Sequence, residues 1–121
     1  MYPPQTKPLF YSAALFNWGA VLILSLLAQP LGLQPPPQDS LFGQIALAAI
    51  FVFGCGYWMV GHSPRANRGI AALGAFAKLA IVAMVFGHWL AGSATAQMAA
   101  LVSGDIVYAI LFIWFLRRTA A

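Results

Sequence analysis

Two charged residues sit inside stretches of sequence that are otherwise apolar. Lys78 lies near the middle of a run from Asn67 to about Leu90, and Asp105 lies well inside the last apolar run, from about Gln97 to Leu116. Each run is long enough to cross a bilayer, where an ammonium near the centre costs roughly 2.5–3.5 kcal/mol unless it finds water or a partner. Lys78 is about ten residues from either end of its run, or about 15 Å at ~1.5 Å per residue, so its side chain cannot easily reach the surface. The sequence holds two acidic residues, Asp39 and Asp105. Asp105 is about eight residues from the outer end of its run, within a turn of the depth of Lys78, and antiparallel neighbours would let the two touch.

Two readings of the pair stand side by side. It is a structural ion pair that sets helix register, in which case removing one partner harms more than removing both. Alternatively, it marks a ligand or proton site, as buried membrane charges often do. Tyr108, three residues after Asp105, lies on a neighbouring face of the same helix. Asn17 in the first apolar run and Tyr57 in the second lie nearer the same side of the membrane. Lys78, Asp105, Tyr108, Asn17 and Tyr57 are therefore the candidate ligand-binding residues, expected to line a polar pocket that opens inward, toward the cytoplasmic side.

The elements that must position these residues follow from composition. With 62% hydrophobic and 7% charged residues among 121, a water-soluble domain could not bury its apolar side chains. The reading is an all-α, four-transmembrane-helix bundle occupying residues 1–121 as one domain. Its spans run over about 9–28, 41–60, 67–90 and 97–116. Pro30 should end the first span, and Pro35, Pro36 and Pro37 favour a stiff extended connection to the second. Gly61 to Pro64 breaks the second span, Asn67 is placed to cap the third, and Gly92 with Ser93 closes it. The first hydrophobic segment is expected to be retained, because no small-residue cleavage site follows it.

The basic residues orient this bundle. Lys7, Arg65, Arg68, Arg117 and Arg118 all fall on one side of a four-span arrangement, while Asp39 falls on the other. By the positive-inside rule both termini should face the cytoplasm, and the short loops after the second and third spans make those neighbours antiparallel. The net charge of +4 is thus explained by topology. The basic residues form no long run or helix-face cluster, so nucleic acid is not an expected partner.

Other chemistry finds little support. A single cysteine, Cys55, excludes an internal disulfide and multi-cysteine metal sites. His62 and His88 fall at opposite ends of the membrane, too far apart to share one metal or haem iron. Glycines and alanines such as Gly54, Gly56, Gly61, Ala71, Gly74, Ala75 and Ala77 suit close helix packing in lipid. No nucleophile–base set, phosphate-binding glycine loop or paired carboxylates occur, so the expectation leans against an enzyme and includes neither cofactor nor metal.

A resemblance adds to this reading. The runs Gly54-Cys-Gly-Tyr57, Pro64-Arg-Ala-Asn-Arg-Gly-Ile70 and Leu73-Gly-Ala-Phe-Ala-Lys78, followed by Gly104-Asp105 and an aromatic-rich last helix, resemble small bacterial four-helix membrane proteins of the DoxX-like group. The resemblance covers spans two to four and implies a multi-pass protein of the bacterial inner (cytoplasmic) membrane. It singles out Tyr57, Asn67, Lys78 and Asp105 as pattern positions, and members of that group are associated with quinone-linked complexes. The expected partners are membrane lipids, with a small lipid-, isoprenoid- or quinone-like molecule bound in the bundle around the Lys78–Asp105 pair. The alternatives are an accessory subunit of a larger membrane complex, or an oligomeric proton-coupled transporter with Asp105 as carrier.

Overall fold

A computed structural model describes residues 2–33 and 41–120. Among these residues the protein is all-helical: α1 spans Thr6–Leu22 and runs into a π-helical turn at Ile23–Leu27, followed by α2 (Leu41–His62), α3 (Arg68–Leu90) and α4 (Ala96–Arg118). The connection carrying Pro35 to Pro37 and Asp39 lies outside the described residues. Counting the π turn with α1, the four helices are 22 or 23 residues long and strongly apolar on average. That corresponds to about 33–35 Å, enough to cross a ~30 Å hydrocarbon layer. Side chains such as Phe42 (81% exposed) and Leu90 (82%) point away from the bundle, as lipid requires and water would not tolerate. This is a multi-pass membrane protein.

In lipid the backbone must satisfy itself, and the helix ends show how. Ser25 Oγ donates back to Val21 O at 2.6 Å within the π turn, a local competition with the helical ladder that accompanies bulges of this kind. The first span leaves regular helix after Leu27, and Pro30 lies in the turn that ends it. The chain turns at Gly32, whose φ of +71° lets Leu33 N reach back to Ala28 O at 2.8 Å and Gly32 N to Gln29 O, the six-to-one and five-to-two bonds of a left-handed glycine cap. Pro30, with no N–H to place, fits inside that turn. α3 ends the same way at Gly92, φ +83°, with Ser93 N on His88 O at 2.7 Å. α4 starts from Thr95, whose Oγ1 accepts from Met98 N.

Asn67 does not play the expected part. Its side chain makes no bond to the start of α3; instead Nδ2 donates to Met59 O and Ser63 O, both at 3.0 Å, at the end of α2. Lys7 reaches the same helix end, its Nζ donating to Gly61 O at 3.1 Å and His62 O at 3.2 Å. Arg68 does the equivalent for α4, with Nη2 on Leu116 O at 2.7 Å and Nε on Thr119 Oγ1. Cations thus sit on the negative ends of two helix dipoles.

α1 packs closely on α2 and α3 closely on α4, with a thinner seam between α2 and α3. The larger core lies toward the end carrying Lys7 and Arg68. There Phe10 stacks on Phe112 at 4.7 Å and meets Phe115 edge-on at 4.9 Å, with Tyr57, Val60, Ala71 and Ala75 around them. A smaller cluster of Leu24, Ala28 and Leu33 closes the other end. The site lies between these two cores.

Candidate functional site

Lys78 comes from the middle of α3 and is 3% exposed. Its Nζ donates to Asp105 Oδ1 of α4 at 2.5 Å and to Asn17 Oδ1 of α1 at 3.1 Å. Asn17 is held in turn by α2, because its Nδ2 donates to Ile50 O at 3.0 Å. One amide therefore ties three helices together, and its orientation is set by a donor on one side and an acceptor on the other.

Aromatic rings complete the surroundings of the ammonium. Nζ lies 5.2 Å from the ring centre of Tyr57, 5.4 Å from Phe16 and 5.6 Å from Tyr108, each within range of a cation–π contact. Two of these rings are seated on glycines. A Cβ at position 74 would stand 2.5 Å from Tyr57 Cε1, and one at position 104 would stand 2.6 Å from Phe16 Cζ. Gly74, read from the sequence as a packing position, and Gly104, which was not, thus let α2 and α1 press rings against α3 and α4 beside the charge. Phe16 was not among the residues singled out from the sequence; the signal for it is Gly104, a small residue directly before Asp105 that leaves room for a ring.

An apolar cavity of about 320 Å³ begins at this cluster. It is lined from all four helices and runs from Tyr57, Lys78 and Asp105 toward Leu24, Ala46 and Met98. Along α4 the lining from Met98 to Asp105 covers about 10 Å at ~1.5 Å per residue. Its exposed lining, Ala46, Ala49 and Ile81, comes from α2 and α3, so the cavity opens sideways through the thin α2–α3 seam. The polar pocket opening inward that the sequence suggested is instead a mainly apolar one, because the polar groups gather at one end and bond to each other. Two polar atoms on its wall, the Tyr57 hydroxyl oxygen and Asp105 Oδ2, stand without any hydrogen bond among the described residues, although Tyr57 is only 1% exposed and the Asp105 side chain 14%.

All five candidate residues meet here. Four line the cavity, while Tyr108 stands behind the ammonium with its hydroxyl donating to Ser12 Oγ at 3.0 Å, beside an open groove between α1 and α4.

No family model, curated protein or solved structure matches the chain. Function is therefore read from the chemistry of the site itself. Among the described residues no three His, Cys, Asp or Glu side chains converge as metal ligands. His88, exposed near the end of α3, pairs its Nδ1 with Ser93 Oγ at 2.8 Å, and Cys55 is a half-buried free thiol. What remains is a neutralised, hydrogen-bonded charge pair at the closed end of an apolar chamber. An apolar wall with a few placed polar groups is the usual make-up of a small-molecule pocket.

Proposed function

We propose that this protein binds a small lipid-like molecule of the isoprenoid or quinone kind inside its four-helix bundle, with the polar end of the ligand at Lys78 and Asp105. The observation that carries this is the coincidence of an interior cavity with the most polar spot in the bundle. A purely structural ion pair needs no chamber beside it, and interiors ordinarily fill voids of this size. The volume lies at the lower end of ligand pockets, roughly 300–1,000 Å³, and suits one chain rather than a two-tailed lipid. Entry from the bilayer through the α2–α3 seam fits a ligand that never needs to enter water.

The arrangement we propose in the membrane has antiparallel neighbours and both termini on the cytoplasmic face. It is supported by the meeting of Lys7 at the start of α1 with the end of α2, and of Arg68 at the start of α3 with the end of α4, which gathers the basic residues at one end. A bacterial inner-membrane location and membership of the DoxX-like group belong to the same proposal, on the motif residues alone.

A second reading is favoured by the completeness of the shell around the ammonium. Because Asp105, Asn17 and three rings already surround it, the pair also fits an accessory subunit whose outer faces dock on larger membrane proteins. Native mass spectrometry after gentle extraction separates the two, comparing wild type with Lys78→Met. A bound small molecule present in wild type and lost in the variant supports the binding site and gives the ligand's mass. A large complex retained in both, with no small molecule, makes the protein a subunit and the pair architecture.

A further inference from the structure

We infer that the site selects an uncharged, hydroxyl-bearing head on a single hydrocarbon chain, over anionic or cationic heads on the same chain; this rests on the ligand-binding reading above. The charges facing the cavity from all four helices are Lys78 and Asp105, and they cancel. A carboxylate or phosphate head would have to face Asp105, with the ammonium already held by Asp105 and Asn17 and shielded by the rings of Phe16, Tyr57 and Tyr108. A cationic head would meet Asp105 Oδ2 but stand beside Lys78. Either way one charge is left uncompensated in an apolar chamber, which is costly.

A hydroxyl fits the groups left open. Asp105 Oδ2 can only accept while the carboxylate is ionised, and the Tyr57 hydroxyl can donate or accept. One alcohol can donate to the first and accept from the second, completing both without adding charge. The Tyr57 hydroxyl makes no hydrogen bond among the described residues and Tyr57 lines the cavity, so a ligand atom there can serve as its partner. Apart from Asn17, which is engaged by Lys78 and Ile50, the remaining lining, Ala20, Leu24, Ala49, Ile81 and Leu101 among it, is apolar and takes the chain.

The test uses the full-length protein in phosphatidylcholine nanodiscs and three probes with one tail: hexadecanol, hexadecanoate and hexadecylamine, at a pH where the last two are charged. Bound fraction is read by native mass spectrometry across a titration. Hexadecanol should bind at least about tenfold more tightly than either charged probe. Tyr57→Phe should weaken hexadecanol about fivefold, the loss of one hydrogen bond, and leave the charged probes unchanged. Asp105→Asn should shift the preference to hexadecanoate, whose carboxylate then answers Lys78; if that variant does not fold, Tyr57→Phe carries the test. Equal binding of all three probes, or a wild-type preference for a charged head, overturns the inference while leaving a binding site. No binding of any probe, together with no ligand in the wild type extracted from its own membrane, overturns the site itself.

Discussion

Asn17 and Lys78, 61 residues apart in the chain, meet through a 3.1 Å hydrogen bond whose acceptor is oriented from its other side by the Ile50 carbonyl. The amide therefore has to be an amide. Asn17→Asp replaces the donor to Ile50 O with an acceptor and places a second carboxylate beside one ammonium. Asn17→Asp should lower stability by about 1–3 kcal/mol, read as thermal unfolding in mild detergent. An unchanged midpoint would mean that the amide does not tie α1 to α2 and α3.

The Lys78–Asp105 pair should show strong coupling. Lys78→Met and Asp105→Leu each leave an uncompensated buried charge, at about 3–5 kcal/mol. The double variant should be more stable than either single one, and a double-mutant cycle measures the difference. Additive losses would show that the two groups do not interact.

Glycines in these helices divide into two sets by what a methyl group would meet. At Gly74 and Gly104 it would strike the rings of Tyr57 and Phe16, whereas at Gly87 nothing lies within 4 Å. Gly74→Ala and Gly104→Ala should each cost about 1–3 kcal/mol through overpacking and disturb the ring cage around Lys78. Gly87→Ala should stabilise by about 0.5–1 kcal/mol, because it removes backbone freedom in a helix interior at no steric cost. Reversal of this order in unfolding measurements would contradict the ring seats.

Asn67 offers a choice between two capping roles. Aspartate is a good residue at a helix start, so Asn67→Asp would be neutral or favourable if the side chain capped α3. It instead donates to Met59 O and Ser63 O at the negative end of α2. Asn67→Asp should therefore destabilise by about 1–2 kcal/mol, by losing the donor and adding a negative charge there. A gain in stability would return Asn67 to the start of α3.

Thr6 Oγ1 is buried with no hydrogen-bond partner among the described residues. Thr6→Val keeps the shape and removes the unsatisfied hydroxyl, so it should be neutral or stabilising by up to about 1 kcal/mol. A clear loss would mean that the hydroxyl has a partner in the membrane.

Much of the architecture was determined locally. Four apolar runs of spanning length, broken by glycine, proline and basic residues, dictate four helices, because a backbone in lipid can only bond to itself. The rarity of charge within those runs singled out Lys78 and Asp105, since a charge in hydrocarbon demands an explanation whatever surrounds it. Local chemistry was less decisive at the helix ends. Pro30 stands in the turn that ends the first span, but it is Gly32 whose left-handed φ closes the last carbonyls. Asn67 stands at a helix start but serves the preceding helix, since its amide can donate as well as accept and two carbonyls lie within reach. What only the tertiary structure decided is the environment of the ammonium: the Asn17 bridge, the Phe16 ring on Gly104, the outward turn of the Tyr108 hydroxyl, and the chamber beside them. These depend on helix rotation and on which small residue faces which ring, relations between positions far apart in the chain that no single helix carries in its own periodicity.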